Sequence, residues 1–121
     1  MRKTVEEQFL FDFYGELLSD KQKRVLDYYY NDDLSIVEIA ELTGLTRQGV
    51  YDAHKRGKAQ MRHYEEKLGL YARFVKQREG LARIADKLLA VAGDEAKKGN
   101  RPLSQLLFAL EKEARDLRDS Y

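Results

Sequence analysis

Between Ser35 and Arg56 the chain reads SIVEIAELTGLTRQGVYDAHKR, and the placing of three residues inside this segment restricts the fold more than anything else in the sequence. Ala40 is followed four residues later by Gly44, and six beyond that by Val50. Ile36, Ile39 and Leu42 recur at helical spacing on a first helix, where Ala40 keeps the inner face small enough for a second helix to cross closely. Gly44 supplies the turn, because a residue that ends one helix and swings the chain round often needs positive φ. Thr46 restarts the chain as an N-cap whose hydroxyl accepts from the amide of Gln48 or Gly49, and Val50 points back into the angle between the helices. The spacing predicts a rigid two-helix corner, a helix-turn-helix.

Such a corner needs further helices to pack on. At 121 residues the chain is one domain, or one domain with an appendage, long enough to bury a modest core. Hydrophobic residues make up 43% and charged residues 36%, with one proline and no alternating strand pattern, so the expected fold class is all-α. Cysteine is absent, which excludes disulfides, thiolate zinc sites and cysteine nucleophiles. The opening MRKTVEEQF has no apolar signal region, and the expectation is a cytoplasmic protein without membrane insertion.

The net charge of +1 is divided unevenly along the chain. Residues 1 to 43 hold five Lys/Arg and ten Asp/Glu, for −5; residues 44 to 78 hold nine and three, for +6; residues 79 to 121 hold eight of each. The basic segment is the second helix of the motif and its continuation, the part a DNA reader presents to phosphates. A solvated helix face has the same composition. Coincidence with the motif is what favours the nucleic-acid reading.

Three helix starts carry a hydroxyl residue followed three places later by Glu or Gln: Thr4 with Glu7, Ser19 with Gln22, Ser35 with Glu38. The first helix is expected to run to about Leu18 with Val5, Phe9, Leu10, Phe13 and Leu17 apolar, and the second to about Tyr30. Asn31-Asp32-Asp33 then forms a polar connection. The helix from Thr46 has no stop before Lys67 or Leu68, and Val50, His54, Gly57, Met61, Tyr64 and Leu68 form a seam along it. Gly69 predicts a bend, followed by a long helix, kinked or broken, to about Ala92. Gly93 to Pro102 reads as a loop. Beyond it Leu103, Leu106, Leu107, Leu110, Ala114 and Leu117 line one face of a last helix, as core or dimer seam, broken by charge and too short to span a membrane.

On a different side of the long helix from the seam, Arg47, Tyr51, Lys55, Lys58 and Arg62 form a polar stripe. Side chains near the start of a second helix reach base edges, so Arg47 suits guanine and Gln48 adenine, while Lys55, Lys58 and Arg62 suit phosphates. Asp52 beside them opposes phosphate, although it can accept from a cytosine amine. His54 reads as a core histidine with one hydrogen bond, and His63 as exposed. The tyrosines at 28, 29 and 30 read as a base-stacking platform or, more simply, as the end of a core helix. No HExxH, converging His set or phosphate-cradling glycine loop is present in the sequence, and the pairs Glu6-Glu7, Asp32-Asp33 and Glu65-Glu66 read as helix-end and surface charge. Neither a metal, a cofactor nor catalysis is expected.

Leu18 to Arg56, LSDKQKRVLDYYYNDDLSIVEIAELTGLTRQGVYDAHKR, resembles region 4 of sigma-70-type RNA polymerase factors, which read promoter DNA through a helix-turn-helix. Over nearly the whole chain, RQGVYDAHKR, YEEKLGLY and the aromatic first helix resemble the YlxM family of small helix-turn-helix proteins. The resemblance implies an all-helical fold and a sigma-like head. Through genes lying beside those for the signal recognition particle GTPase and its receptor, it also implies a part in that protein-targeting pathway. Carried over, Thr46, Arg47, Gln48, Tyr51 and Lys55 fall where the sigma-type helix meets DNA, with Arg56 nearby. Sigma-type helices carry a basic residue where this chain has Ala53, and family members often have Asn-Ile in place of Ala53-His54. No sigma region 2 accompanies the segment, which points to a regulator or accessory factor.

The resulting expectation is a sigma-region-4-like head over residues 1–68, with its motif at 35–56, followed by a helical extension over 69–121 that dimerises. The partners expected are double-stranded DNA, a second copy of the chain and components of the signal recognition particle. The alternative is an interaction module that docks on the targeting GTPase, its RNA or the polymerase without reading DNA.

Overall fold

The computed structural model describes residues 3–120, and every regular element among them is helical. α1 spans Val5–Tyr14, α2 Asp20–Tyr30, α3 Ile36–Thr43, α4 Arg47–Leu68, α5 Leu70–Lys97 and α6 Arg101–Asp119, with a 3-10 turn at Gly15–Leu17. The chain is all-α, as its composition predicts. It forms two compact units that divide within α5, between Ala72 and Arg73.

Capping residues set the starts of α2 and α3. The hydroxyls of Ser19 and Ser35 accept from the amides of Gln22 and Glu38, both at 3.2 Å, and those side chains accept in return from the serine amides. Thr4 completes only half of this arrangement. Its hydroxyl accepts from the Glu7 amide at 3.1 Å, while the Glu7 carboxylate turns into the protein. α1 also ends earlier than the apolar pattern predicts, at Tyr14 rather than Leu18. Its inward face is Glu7, Leu10, Phe11 and Tyr14, which leaves Val5 and Leu17 exposed at 72% and 52%. At the 3-10 turn that follows, Gly15 leaves room for the Phe11 ring, from which a Cβ would stand 3.0 Å.

The core of the first unit joins α1, α2, α3 and α4. Leu10, Tyr14, Val25, Leu26, Ile39, Val50 and Met61 are fully enclosed, and Tyr29 and Tyr30 are buried beside them. Tyr28 stays at the rim, so the tyrosine run ends a core helix. Of the expected seam, Val50, His54, Gly57 and Met61 are buried, Ala53 joins them, and Leu68 is exposed. Leu42, expected on the inner face of α3, is 58% exposed, because Ile39 and Ala40 fill that face.

Glu65, read from sequence as surface charge, ties α1 to the α4–α5 junction. Gly69 turns the chain in the left-handed region at φ 64°, as its position predicts. Glu65 then accepts from the Tyr14 hydroxyl at 2.6 Å and from the amides of Tyr71 and Ala72 at 2.9 and 3.0 Å. The Tyr14 oxygen accepts in turn from the Leu70 amide at 3.1 Å. The first amides of α5, which have no partner within their own helix, are satisfied this way.

In the second unit α5 continues without interruption to Lys97, so Gly93, assigned from sequence to a loop, is helical. A glycine inside a helix costs about 1 kcal/mol relative to alanine, which a continuing hydrogen-bonded ladder outweighs. The connection is only Lys98 to Asn100. Gly99 sits at φ 81°, the amides of Gly99 and Asn100 return to the carbonyls of Ala96 and Glu95, and Asn100 caps α6 ahead of Pro102. Small residues are the ones enclosed here: Ala85 and Ala92 on α5, Ser104 and Ala114 on α6. Arg115 adds ion pairs to Asp86, at 3.4 Å, and to Glu111. Ile84, Val91, Leu106 and Leu117 face outward, each about half exposed.

Candidate nucleic-acid interface

The helix-turn-helix corner is built as its residues dictate. Gly44 ends α3 at φ 75° with its amide donating to the Ala40 carbonyl at 3.0 Å, and only a residue without a Cβ takes that conformation freely. Thr43 closes the turn through its hydroxyl, which donates to the Ile39 carbonyl at 2.7 Å and accepts from the Leu45 amide at 3.3 Å. The Thr46 hydroxyl caps α4 by accepting from Gly49, one of the two amides expected, at 2.9 Å. Ile39 and Val50 meet in the angle, both wholly buried.

Two glycines on α4 have packing reasons. A Cβ at Gly49 would lie 3.1 Å from the capping oxygen of Thr46. At Gly57 it would lie 2.7 Å from Cδ1 of Leu26, so this glycine sets how closely α4 crosses α2. Ala53 and His54 also belong to this inner face, at 6% and 2% exposure. That corrects the expectation drawn from sigma-type helices: Ala53 does not stand on the outward surface, and the absence of a basic residue there removes no contact from it.

His54 differs from its expected state in another respect. Its Nε2 is buried with no partner among the described residues, and its ring stands edge-on to Tyr29 at 4.3 Å between centroids. Burial, reinforced by the Lys58 ammonium, lowers its pKa to about 4. The imidazole is neutral at physiological pH. His63 is exposed, as expected.

The candidate residues separate into groups. Thr46, Arg47, Gln48, Tyr51, Lys55 and Arg56 are exposed on the first turns of α4. Arg47, Tyr51 and Lys55 recur every fourth residue and form one row, whereas Arg56 is turned about 100° further round the helix from Lys55. Arg47, Lys55 and Arg56 make no ion pair with a described residue. Gln48 donates to Asp52 at 3.0 Å, so part of its capacity to read a base is taken up within the helix. Lys58 and Arg62 have an internal partner. Their cationic nitrogens lie 3.2 and 3.8 Å from Oε1 of Glu7, and the Tyr30 hydroxyl donates to its other oxygen at 3.3 Å. Burial and this carboxylate push the Tyr30 hydroxyl pKa well up.

Glu7 is the residue that sequence reading placed wrongly, as a helix-end charge. A signal for its true place exists: positions 7, 10, 11 and 14 form one helical face, of which 10, 11 and 14 are apolar or aromatic. For Glu65 the sequence carries no comparable signal.

The family model described as "UPF0122: Putative helix-turn-helix protein, YlxM / p13 like" matches residues 1–100. The chain belongs to the UPF0122 family. It is 42% identical over 112 residues to a UPF0122 protein of Bacillus velezensis, covering 93% of this chain and 96% of that one. It is 44% identical over 91 residues to a UPF0122 protein of Acetivibrio thermocellus, covering 75% and 78% of the two chains. With a UPF0122 protein of Halalkalibacterium halodurans the identity is 46% over 84 residues, covering 69% and 77%. Among the described residues of this UPF0122 chain, no helix is long and apolar enough to cross a membrane, and no group of His, Asp and Glu is arranged to hold a metal.

Proposed function

We propose that this UPF0122 protein is a DNA-binding regulator that lays the start of α4 in the major groove. The observation that carries this reading is the exposed row Arg47, Tyr51 and Lys55 at the leading end of a helix fixed by a helix-turn-helix corner. The family's description as a helix-turn-helix protein supports it. Arg47 is the guanine-reading candidate, Gln48 and Tyr51 are supplementary base or sugar contacts, and Thr46, Lys55 and Arg56 are backbone contacts. Lys58 and Arg62 join them only to the extent that phosphate competes with Glu7.

The same proposal includes a homodimer formed through α5 and α6. Its support is the outward set Ile84, Val91, Leu106 and Leu117 together with the balanced charge of residues 79 to 121, which sets no net repulsion against self-association. A role beside the signal recognition particle rests on the family resemblance alone.

Titration of duplex DNA across salt concentrations tests the first claim. Affinity falling with a log–log slope of about −0.9 per phosphate contacted is the expected result. Absence of binding at low salt overturns it, as does a double variant Arg47→Ala with Lys55→Ala that binds as the parent does. Light scattering that reports a monomer at micromolar concentration overturns the dimer. A pull-down with the targeting GTPase, its receptor and its RNA tests the pathway link.

A further inference from the structure

α3 presents a second surface, unlike α4 in charge and chemistry. Its outer face carries Val37, Glu38, Glu41 and Leu42, all exposed, and its sequence IVEIAELT contains no basic residue. Leu42 and Val37 stand open at 58% and 39%. Two adjoining hollows of about 400 and 390 Å³ run along this face, sharing Leu34 and Glu38 as walls. Leu34, Val37 and Leu42 make the apolar lining, and Asp33, Glu38 and Glu41 the acidic rim.

Two details show what chemistry the groove takes. Among the described residues, Lys3 is the one cation lining either hollow; it pairs with Asp33 and holds its ammonium 4.8 Å from the Tyr29 ring centroid. Tyr29 lines the same hollow, is 4% exposed, and its buried hydroxyl has no partner among the described residues. A buried hydroxyl left without a hydrogen bond is destabilising until something supplies one.

We propose that the α3 groove is a docking site for a basic amphipathic helix of a partner protein. Leucine-like side chains of that helix cover Leu34, Val37 and Leu42, and its lysines or arginines meet Glu38, Glu41 and Asp33, one of them displacing Lys3 from the Tyr29 ring. Nucleic acid is disfavoured by the carboxylates that line the groove, and a second α3 by the same like charge. α3 is eight residues long, about 12 Å of helix, which matches two turns of a partner. This surface is separate from the Arg47 row, so the two readings stand or fall independently.

A synthetic helical peptide of leucine and lysine, titrated into the full chain while amide chemical shifts are followed, tests it. The expected result is shifts confined to Lys3, Tyr29 and residues 33–42, absent with the counterpart in which glutamate replaces lysine. The double variant Glu41→Lys with Leu42→Ser, at two exposed positions, is expected to weaken binding at least about tenfold with unchanged helicity and thermal midpoint. The proposal is overturned if the peptide does not bind at millimolar concentration, if both peptides bind alike, or if the shifts fall on α4 or on residues 73–119. Shifts at residues 34–42 produced by duplex DNA or RNA in place of peptide overturn it equally.

Discussion

Glu7 holds two of the cations that a DNA reader would use, so Glu7→Gln separates the protein's stability from its electrostatics. The glutamine keeps an acceptor for the Tyr30 hydroxyl and removes the charge that faces Lys58 and Arg62 at 3.2 and 3.8 Å. Glu7 is almost enclosed and Lys58 three-quarters so, which makes this pair worth more than a surface ion pair. Arg62 is half exposed and contributes little. The expected destabilisation is about 1–2 kcal/mol, read as a lower urea midpoint at unchanged m. DNA binding is expected to move the opposite way. Each cation released to phosphate steepens the log–log salt slope by about 0.9, which at 0.1 M salt is an affinity gain of about eightfold. Fluorescence anisotropy of a labelled duplex at several salt concentrations measures both. A variant that loses stability while its salt slope and affinity match the parent's refutes the idea that Lys58 and Arg62 compete between Glu7 and phosphate.

At Gly57 a methyl group would meet the enclosed Leu26 side chain at 2.7 Å, so Gly57→Ala is expected to lose about 1–2 kcal/mol net; overpacking exceeds the roughly 1 kcal/mol of helix propensity gained, and a stabilised variant in urea unfolding contradicts this. Glu65→Gln keeps one acceptor and loses the charge beneath the start of α5, for an expected loss of about 1–3 kcal/mol. A double-mutant cycle with Tyr14→Phe checks the shared network, and additivity within about 0.3 kcal/mol would show that the residues act separately. The buried, neutral His54 has a folded pKa of about 4 against an ordinary 6.5, so the unfolded chain binds more protons between those values. Its contribution is fully present above pH 6.5 and lost as pH falls toward 4, by about 3 kcal/mol in total. His54→Leu is expected to flatten that part of the stability–pH curve, and an unchanged curve refutes the assignment.

The parts of the fold legible in the sequence are those decided by local chemistry. Ser19, Ser35 and Thr46 announce helix starts because a hydroxyl satisfies an orphan amide one turn ahead, and Gly44 and Gly69 announce ends because αL backbone favours glycine. What the pattern could not show depends on which neighbour arrives. Leu42 and Ile39 have the same hydrophobicity, yet α2 and α4 close over Ile39 alone. Thr4 and Glu7 have capping-box spacing, but Tyr30 and Lys58, distant in sequence, draw the carboxylate inward. At Gly93 the competition is between helix propensity and a continuing ladder, and single-residue preference is too weak to decide it. Arg47, Tyr51, Lys55, Lys58 and Arg62 share one side of α4, as their spacing predicts; that the last two meet α1 is a tertiary fact with no local signal beyond the register of Glu7.

On the proposed reading, that division of the stripe sets how strongly a single head would hold DNA. Arg47, Lys55 and Arg56 are the cations at the leading end of α4 without an internal partner among the described residues, and Arg56 lies about 180° round the helix from Arg47. One groove face therefore meets the Arg47–Lys55 row first and Arg56 only at its edge. Two or three phosphate contacts give a salt slope near −2 to −3, shallower than the slopes of about −10 reached by tightly held repressors. Gln48, already bound to Asp52, adds little direct readout unless that bond exchanges for a base edge. A head of this kind reaches useful affinity when a second is tethered to it, because the second binding event then takes place at a high effective concentration. On the proposed reading, the leucines that α6 leaves uncovered and the short row on α4 are complementary: weak contact per head requires pairing, and pairing requires an apolar surface that one chain leaves uncovered.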